Sequence, residues 1–191
     1  MTRIRSIALS GVAALALGMG AISTAPSFAA EMTKMVGGAA MYPSKNIVQN
    51  AVNSKDHTTL VAAVKAAGLV PTLESAGPFT VFAPTNEAFA KLPAGTVDTL
   101  LKPENKSKLT SVLTYHVVAG RLTTKDLREK VKEGGGKAEL KTVEGAPLTV
   151  TEKDGKLWLK DGKGDTAMIT ISNVMQSNGV IQVINTVMLP S

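Results

Sequence analysis

Residues 77–89 read GPFTVFAPTNEAF, and their pattern organises the rest of the chain. Phe79, Val81 and Ala83 alternate with Thr80 and Phe82, the period of two that a pleated strand with a buried face requires. Pro84 ends the ladder, because it has no N–H to donate and it biases Ala83 toward an extended conformation. Thr85 then falls at the N-cap of a helix, with Glu87 in the first turn, where a negative charge suits the helix dipole. Ala88 and Phe89 supply that helix with its apolar face.

Upstream, the spacing predicts a helix over residues 54–68, with Asp56 as cap, Leu60, Val61 and Val64 on one face, and Gly68 as a left-handed C-terminal residue. A shorter helix over 46–53 would turn Ile47, Val48 and Ala51 inward, and Leu73 belongs to another. Residues 31–45 lack periodicity and contain Gly37-Gly38 and Pro43, which reads as an extended lead-in arm. Downstream, Gly95 opens a helix carrying Val97, Leu100 and Leu101 at i, i+3 and i+4. Leu109, Val112 and Leu113 mark the next helix, which leads into a strand over Tyr115-His116-Val117-Val118. Thr123 caps a further helix bearing Leu127 and Val131, and Gly134-Gly135-Gly136 breaks it.

From Lys137 the period changes to two. Strands are predicted over 138–143, 148–152, 157–160 and 167–172. Turns at Glu144-Gly145, Asp154-Gly155 and Asp161-Gly162 separate them, and the two Asp-Gly pairs favour tight hairpins. Residues 180–184 are apolar on both sides except Gln182, the mark of a central strand. A helix-rich first half and a strand-rich second half give the α+β class: an antiparallel sheet or wedge with several short helices packed at one end. The sequence has no internal repeat, and 191 residues suit one domain that removes about 70% of its unfolded surface from water.

The first 29 residues carry Arg3 and Arg5, an apolar run from Ile7 to Ile22, Pro26, and Ser27-Phe28-Ala29 with small residues at the recognition positions. This is the pattern of a signal peptide cleaved after Ala29, and its apolar run is short of the roughly 20 residues that span a bilayer. The organisation expected is therefore a signal peptide over 1–29, a lead-in arm over 30–45 and one domain over 46–190. Removing Arg3 and Arg5 lowers the formal charge from +6 to about +4, spread thinly, with no dense basic block, so no nucleic-acid partner is expected. Zero cysteines exclude disulfides, thiolate metal sites, thiol nucleophiles and a lipid-modified cysteine anchor. No Gly-x-Ser-x-Gly occurs, and neither His57 nor His116 has a second metal ligand at helical or hairpin spacing. Asp154, Asp161 and Asp165 read as turn residues, since they lack the alternating loop of a calcium site. No catalytic residue, cofactor or metal is expected.

TVFAPTNEAF, from Thr80 to Phe89, resembles the first signature motif of the fasciclin (FAS1) domain, an extracellular adhesion module. Tyr115-His116 in LTYHVVAG, and NGVIQVINTVMLP from Asn178 to Pro190, fall in the family's order as its central pair and second motif. The resemblance implies a secreted, non-catalytic binding module with a cell-surface or matrix protein or glycan as partner. It implies a location in the periplasm or outside the cell, at the cell surface, with no membrane span after cleavage. The binding residues it suggests are Thr85, Asn86, Tyr115, His116, Asn178 and Gly179, with a surface patch near the Ala83-Pro84-Thr85 corner and the Asn178-Gly179 turn, and a contact or structural-support role for Tyr115 and His116. His116, in an apolar setting, also reads on physical grounds as a buried residue tied by a hydrogen bond. The chain departs from the family pattern in three places. Asn173-Val174 stands where animal members often carry the Asp-Ile implicated in integrin binding, Gln182 replaces a usual His, and Asn185 a usual Asp. A periplasmic small-ligand or lipid carrier, with a pocket between helices and sheet, and a structural envelope protein are the alternative readings.

Overall fold

A computed structural model describes residues 33–190, so the signal-peptide reading of residues 1–29 lies outside it. The lead-in expected as an extended arm is instead a hairpin where it is described. β1, Lys34–Val36, pairs antiparallel with β2, Ala39–Met41, across Gly37-Gly38 at φ 57° and 74°. Strands of three residues are too short to display a period, yet their alternation buries Val36 and Met41 and turns Met35 outward.

α1, Ile47–Ala51, opens with a capping box between Asn46 and Gln49. A 3-10 turn over Lys55–His57 precedes α2, Thr58–Ala67, so Asp56 lies in that turn and does not cap the helix as expected. Gly68 closes α2 in the left-handed region at φ 73°. α3, Val70–Glu74, carries Pro71 in its first turn, where a missing N–H costs nothing, and buries Leu73. β3, Phe79–Pro84, runs into α4, Asn86–Ala90, through the predicted cap: Thr85 Oγ1 accepts from the Ala88 N–H at 3.2 Å.

α5, Thr96–Leu100, and α6, Lys106–Tyr115, precede β4, Val117–Ala119. Tyr115 and His116 are thus not in a strand. Tyr115 is the last residue of α6 and His116 its C-cap, because the spacing of Leu109, Val112 and Leu113 continues to position 116 at i+7. α7, Thr124–Glu133, has a capping box between Thr123 and Asp126. β5, Lys137–Lys141, β6, Pro147–Lys153, β7, Lys156–Lys160, β8, Thr166–Gln176, and β9, Gly179–Ile184, complete the chain.

Seven strands form one sheet in the order β4-β3-β9-β8-β7-β6-β5. Every pairing is antiparallel except β3 with β9, which run parallel from Phe79 opposite Gly179 to Pro84 opposite Ile184. Asp154 and Gly155, at φ 53° and 71°, make the tight β6–β7 turn that the sequence predicts. Asp161-Gly162 does not make a second one. The β7–β8 pairing closes at Lys160 and Thr166. Asp161 organises the wider loop, its carboxylate accepting from the amides of Lys163, Asp165 and Leu189 at 2.9–3.0 Å.

β3 and β9 are central and buried on both faces, and their alternation divides the interior in two. Val81, Ala83, Ile181 and Val183 face a helix-side core with Leu60, Val64 and Leu113. Phe82 and Ile184 face a sheet-side core with Leu127, Leu148 and Leu159.

Candidate functional site

The six residues suggested by the signature motifs do not form one exposed patch. The register of β3 with β9 puts the Asn178-Gly179 turn and the Pro84-Thr85 corner at opposite ends of the strand pair. At about 3.3 Å per residue the two ends are roughly 16 Å apart. Asn178, Gly179, Tyr115 and His116 are buried, while Thr85 and Asn86 are half-buried.

Apart from Thr85, whose hydroxyl caps its own helix, each polar member is engaged with backbone from another segment. Asn86 Oδ1 accepts from the Thr59 N–H at 3.0 Å and the Thr58 hydroxyl at 3.2 Å, and its Nδ2 donates to the Lys55 carbonyl at 2.8 Å. It therefore caps α2 from α4, the role expected of Asp56. Asn178 Oδ1 accepts from the Ile47 N–H at 3.1 Å, and its Nδ2 donates to the carbonyls of Leu73 and Ser75 at 2.8 Å, pinning α1 and α3 to the start of β9. A Cβ at Gly179 would lie 2.1 Å from the Phe79 carbonyl oxygen, so the approach of β3 to β9 requires glycine there. The Tyr115 hydroxyl donates to the Pro147 carbonyl at 2.8 Å, tying α6 to β6.

His116 has a partner at each ring nitrogen. Nδ1 lies 2.7 Å from the Val112 carbonyl oxygen, which can only accept, and Nε2 lies 3.0 Å from the Met188 N–H, which can only donate. The pair fixes a neutral ring with its proton on Nδ1. Burial pushes its pKa from 6.5 down to about 4, against smaller opposing effects of the Val112 carbonyl and Asp161.

The uncharged replacements in the second motif are also built in. Gln182 accepts from the Asn173 N–H at 2.9 Å and donates to the Leu122 carbonyl at 3.0 Å, and Asn185 accepts from the Met168 N–H at 2.8 Å. Val174 is in the core and Asn173 bonds to Thr124.

The feature that sequence reading did not single out is a cavity of about 70 Å3 between α1, α2 and α3 on one side and β3, β4 and β9 on the other. His57, Leu60, Val61, Val64 and Lys65 line it as one stripe of α2 and its approach. His57 is 3% exposed. Its Nδ1 shares a hydrogen bond with Ser54 Oγ at 2.9 Å, but Nε2 has no hydrogen-bond partner, alone among the buried side-chain nitrogens and oxygens of the described residues. Burial lowers its pKa below the ordinary value, and the Ala83 carbonyl and Asp56 only partly oppose this. His57 sits at i−3 from Leu60 on the stripe, a spacing that was legible without its consequence.

Compared with known proteins, residues 55–190 match the fasciclin domain. The chain belongs to the fasciclin domain family. This fasciclin protein is 45% identical over 189 residues to protein sll1483 of Synechocystis, covering 99% of this chain and 98% of that one. It is 35% identical over 195 residues to the immunogenic protein MPB70 of Mycobacterium bovis, covering 92% of each. Its fold is similar to about half of a FAS1 domain pair from the insect cell adhesion molecule fasciclin I, with a TM-score of 0.68 and 20% identity, covering 78% of this chain and 52% of the pair. Among the described residues no helix is long and apolar enough to cross a membrane.

Proposed function

We propose that this fasciclin protein is an exported, non-catalytic binding module that mediates adhesion or protein interaction at the cell surface. Its location would be the periplasm or the cell exterior, after removal of residues 1–29. Family membership carries the reading, and fasciclin I, whose fold it shares, is a cell adhesion molecule. The polar residues suggested as binding residues hold backbone, so other surface suits contact with a partner better.

The surface that suits it is apolar and lies on the N-terminal hairpin. Met35 is 62% exposed and Tyr42 46%, and Val52 at the end of α1 is 48% exposed. Two hydrogen bonds between the Tyr42 backbone and the Asn50 side chain fasten the end of the hairpin to α1, and Lys55 N–H to the Gly37 carbonyl fastens its turn. Exposed apolar groups on a fixed backbone are a common recognition device.

The test is saturable binding of Ala30–Ser191 to intact cells of the producing organism, beside a Met35→Ser, Tyr42→Ser double variant. The expected result is saturable binding that the variant weakens at least tenfold with an unchanged melting temperature. Absence of binding by the unaltered protein contradicts the adhesion reading.

A further inference from the structure

The cavity has a shape and a chemistry. Its α2 stripe runs from His57 to Lys65, eight residues, or about 12 Å at 1.5 Å per residue. Lys65 and Thr72 on its wall are exposed and mark an opening at that end of α2, Val143 is exposed on the wall beside Val117, and His57 lies buried. The intervening walls are Leu, Val, Ile and Phe side chains, with Leu73, Phe79 and Ile181 among them.

We propose that this cavity binds a slender apolar molecule with one uncharged hydrogen-bonding group, such as a medium-chain alcohol, its hydroxyl on His57 Nε2, its chain along the α2 stripe and its far end emerging from the cavity beside Lys65. Three arguments select that chemistry. An ordered water needs two to four polar partners, and beside mostly apolar walls only His57 Nε2 and the neighbouring Ala83 carbonyl are at hand, so water there makes few bonds and its displacement costs little. A hydroxyl both donates and accepts, so it satisfies Nε2 whichever nitrogen carries the proton in the bond to Ser54. A carboxylate would be stripped of water against a neutral imidazole at the buried end, which costs more than one hydrogen bond returns. The inference is independent of the adhesion reading, because adhesion would use the outer face of the hairpin, with Met35 and Tyr42, whereas only its inner face, with Val36 and Met41, borders the cavity.

The experiment titrates the protein with 1-hexanol, hexane and sodium hexanoate by calorimetry, for the unaltered chain and for His57→Leu. The unaltered chain is expected to bind 1-hexanol saturably and at least tenfold more tightly than hexanoate. His57→Leu is expected to lose about tenfold for 1-hexanol, the worth of one hydrogen bond, and to keep its affinity for hexane. The nitrogen resonance of His57 Nε2 in the unaltered chain supplies a readout that needs no variant. It should shift with 1-hexanol and stay fixed with hexane. No saturable binding of 1-hexanol, or binding that leaves Nε2 unshifted, overturns the proposal.

Discussion

On the sheet side of the β3–β9 pair, Phe82, Leu127, Leu148, Leu159, Ile184 and Met188 are wholly out of water. On the helix side, Val48, Leu69, Val70 and Phe79 are only partly buried, and the core they pack against borders the cavity. The two histidines, which both border the cavity, differ as well. His116 has both nitrogens bonded and His57 has one left over. The difference traces to the covering elements. The sheet-side core is closed by the ten-residue α7 and by consecutive strands that each deliver large side chains. The helix side is covered by the ten-residue α6, by the ten-residue α2, rich in Ala and Val, and by the five-residue helices α1, α3 and α4, which bury only one or two side chains each. Short elements and small side chains fill space less completely.

The largest expected effect is at the satisfied histidine. His116→Ala leaves the Val112 carbonyl and the Met188 N–H unpaired and buried, and should lower unfolding free energy at pH 7 by about 3 kcal/mol. Acid should act through the same group. The folded pKa of about 4 lies below the ordinary 6.5, so protonation favours the unfolded chain. His116 therefore contributes fully above pH 6.5 and loses that contribution as pH falls toward 4, by roughly 3 kcal/mol at 1.36 kcal/mol per unit. Urea unfolding at pH 7 and pH 4.5 checks this. The variant should lose much less stability between the two than the unaltered protein, retaining the part due to His57, whose pKa is displaced in the same direction. An unchanged loss would remove His116 from the account.

A smaller effect is expected at the helix-side cap. Asn86→Ala frees the Thr59 N–H and should cost about 1 to 2 kcal/mol, with faster hydrogen exchange in the first turn of α2. Equal exchange at Thr59 in both proteins would mean that α2 does not depend on the signature motif.

Much of the fold was legible because its signals are local. The strand, proline and threonine of residues 79–85 specify a corner and a cap within seven positions, and Asp154-Gly155 specifies a turn within two. Gly68 and Thr123 likewise announce helix ends by their own chemistry. The candidate site was less legible. Asn86 caps a helix that begins 28 residues earlier, and Asn178 bonds to backbone more than 100 residues away, so neither role has a sequence signature. Both look like surface asparagines until the register of β3 with β9 is known. His116 was misplaced in a strand because its apolar neighbours suit either element, although its i+7 spacing from Leu109 favours the helix. The cavity is a remainder of packing, which no spacing encodes.

The claim that one core retains space and the other does not is tested most directly by the same small enlargement on each side. Val64→Ile adds a methylene on the cavity wall, and Val150→Ile adds one where the side chain is fully buried in the sheet-side core. The first should stabilise by about 0.8 kcal/mol, raising the melting temperature by roughly 2 to 3 °C, and the second should destabilise by about 1 to 3 kcal/mol. Melting temperatures that fall together, or rise together, would contradict it.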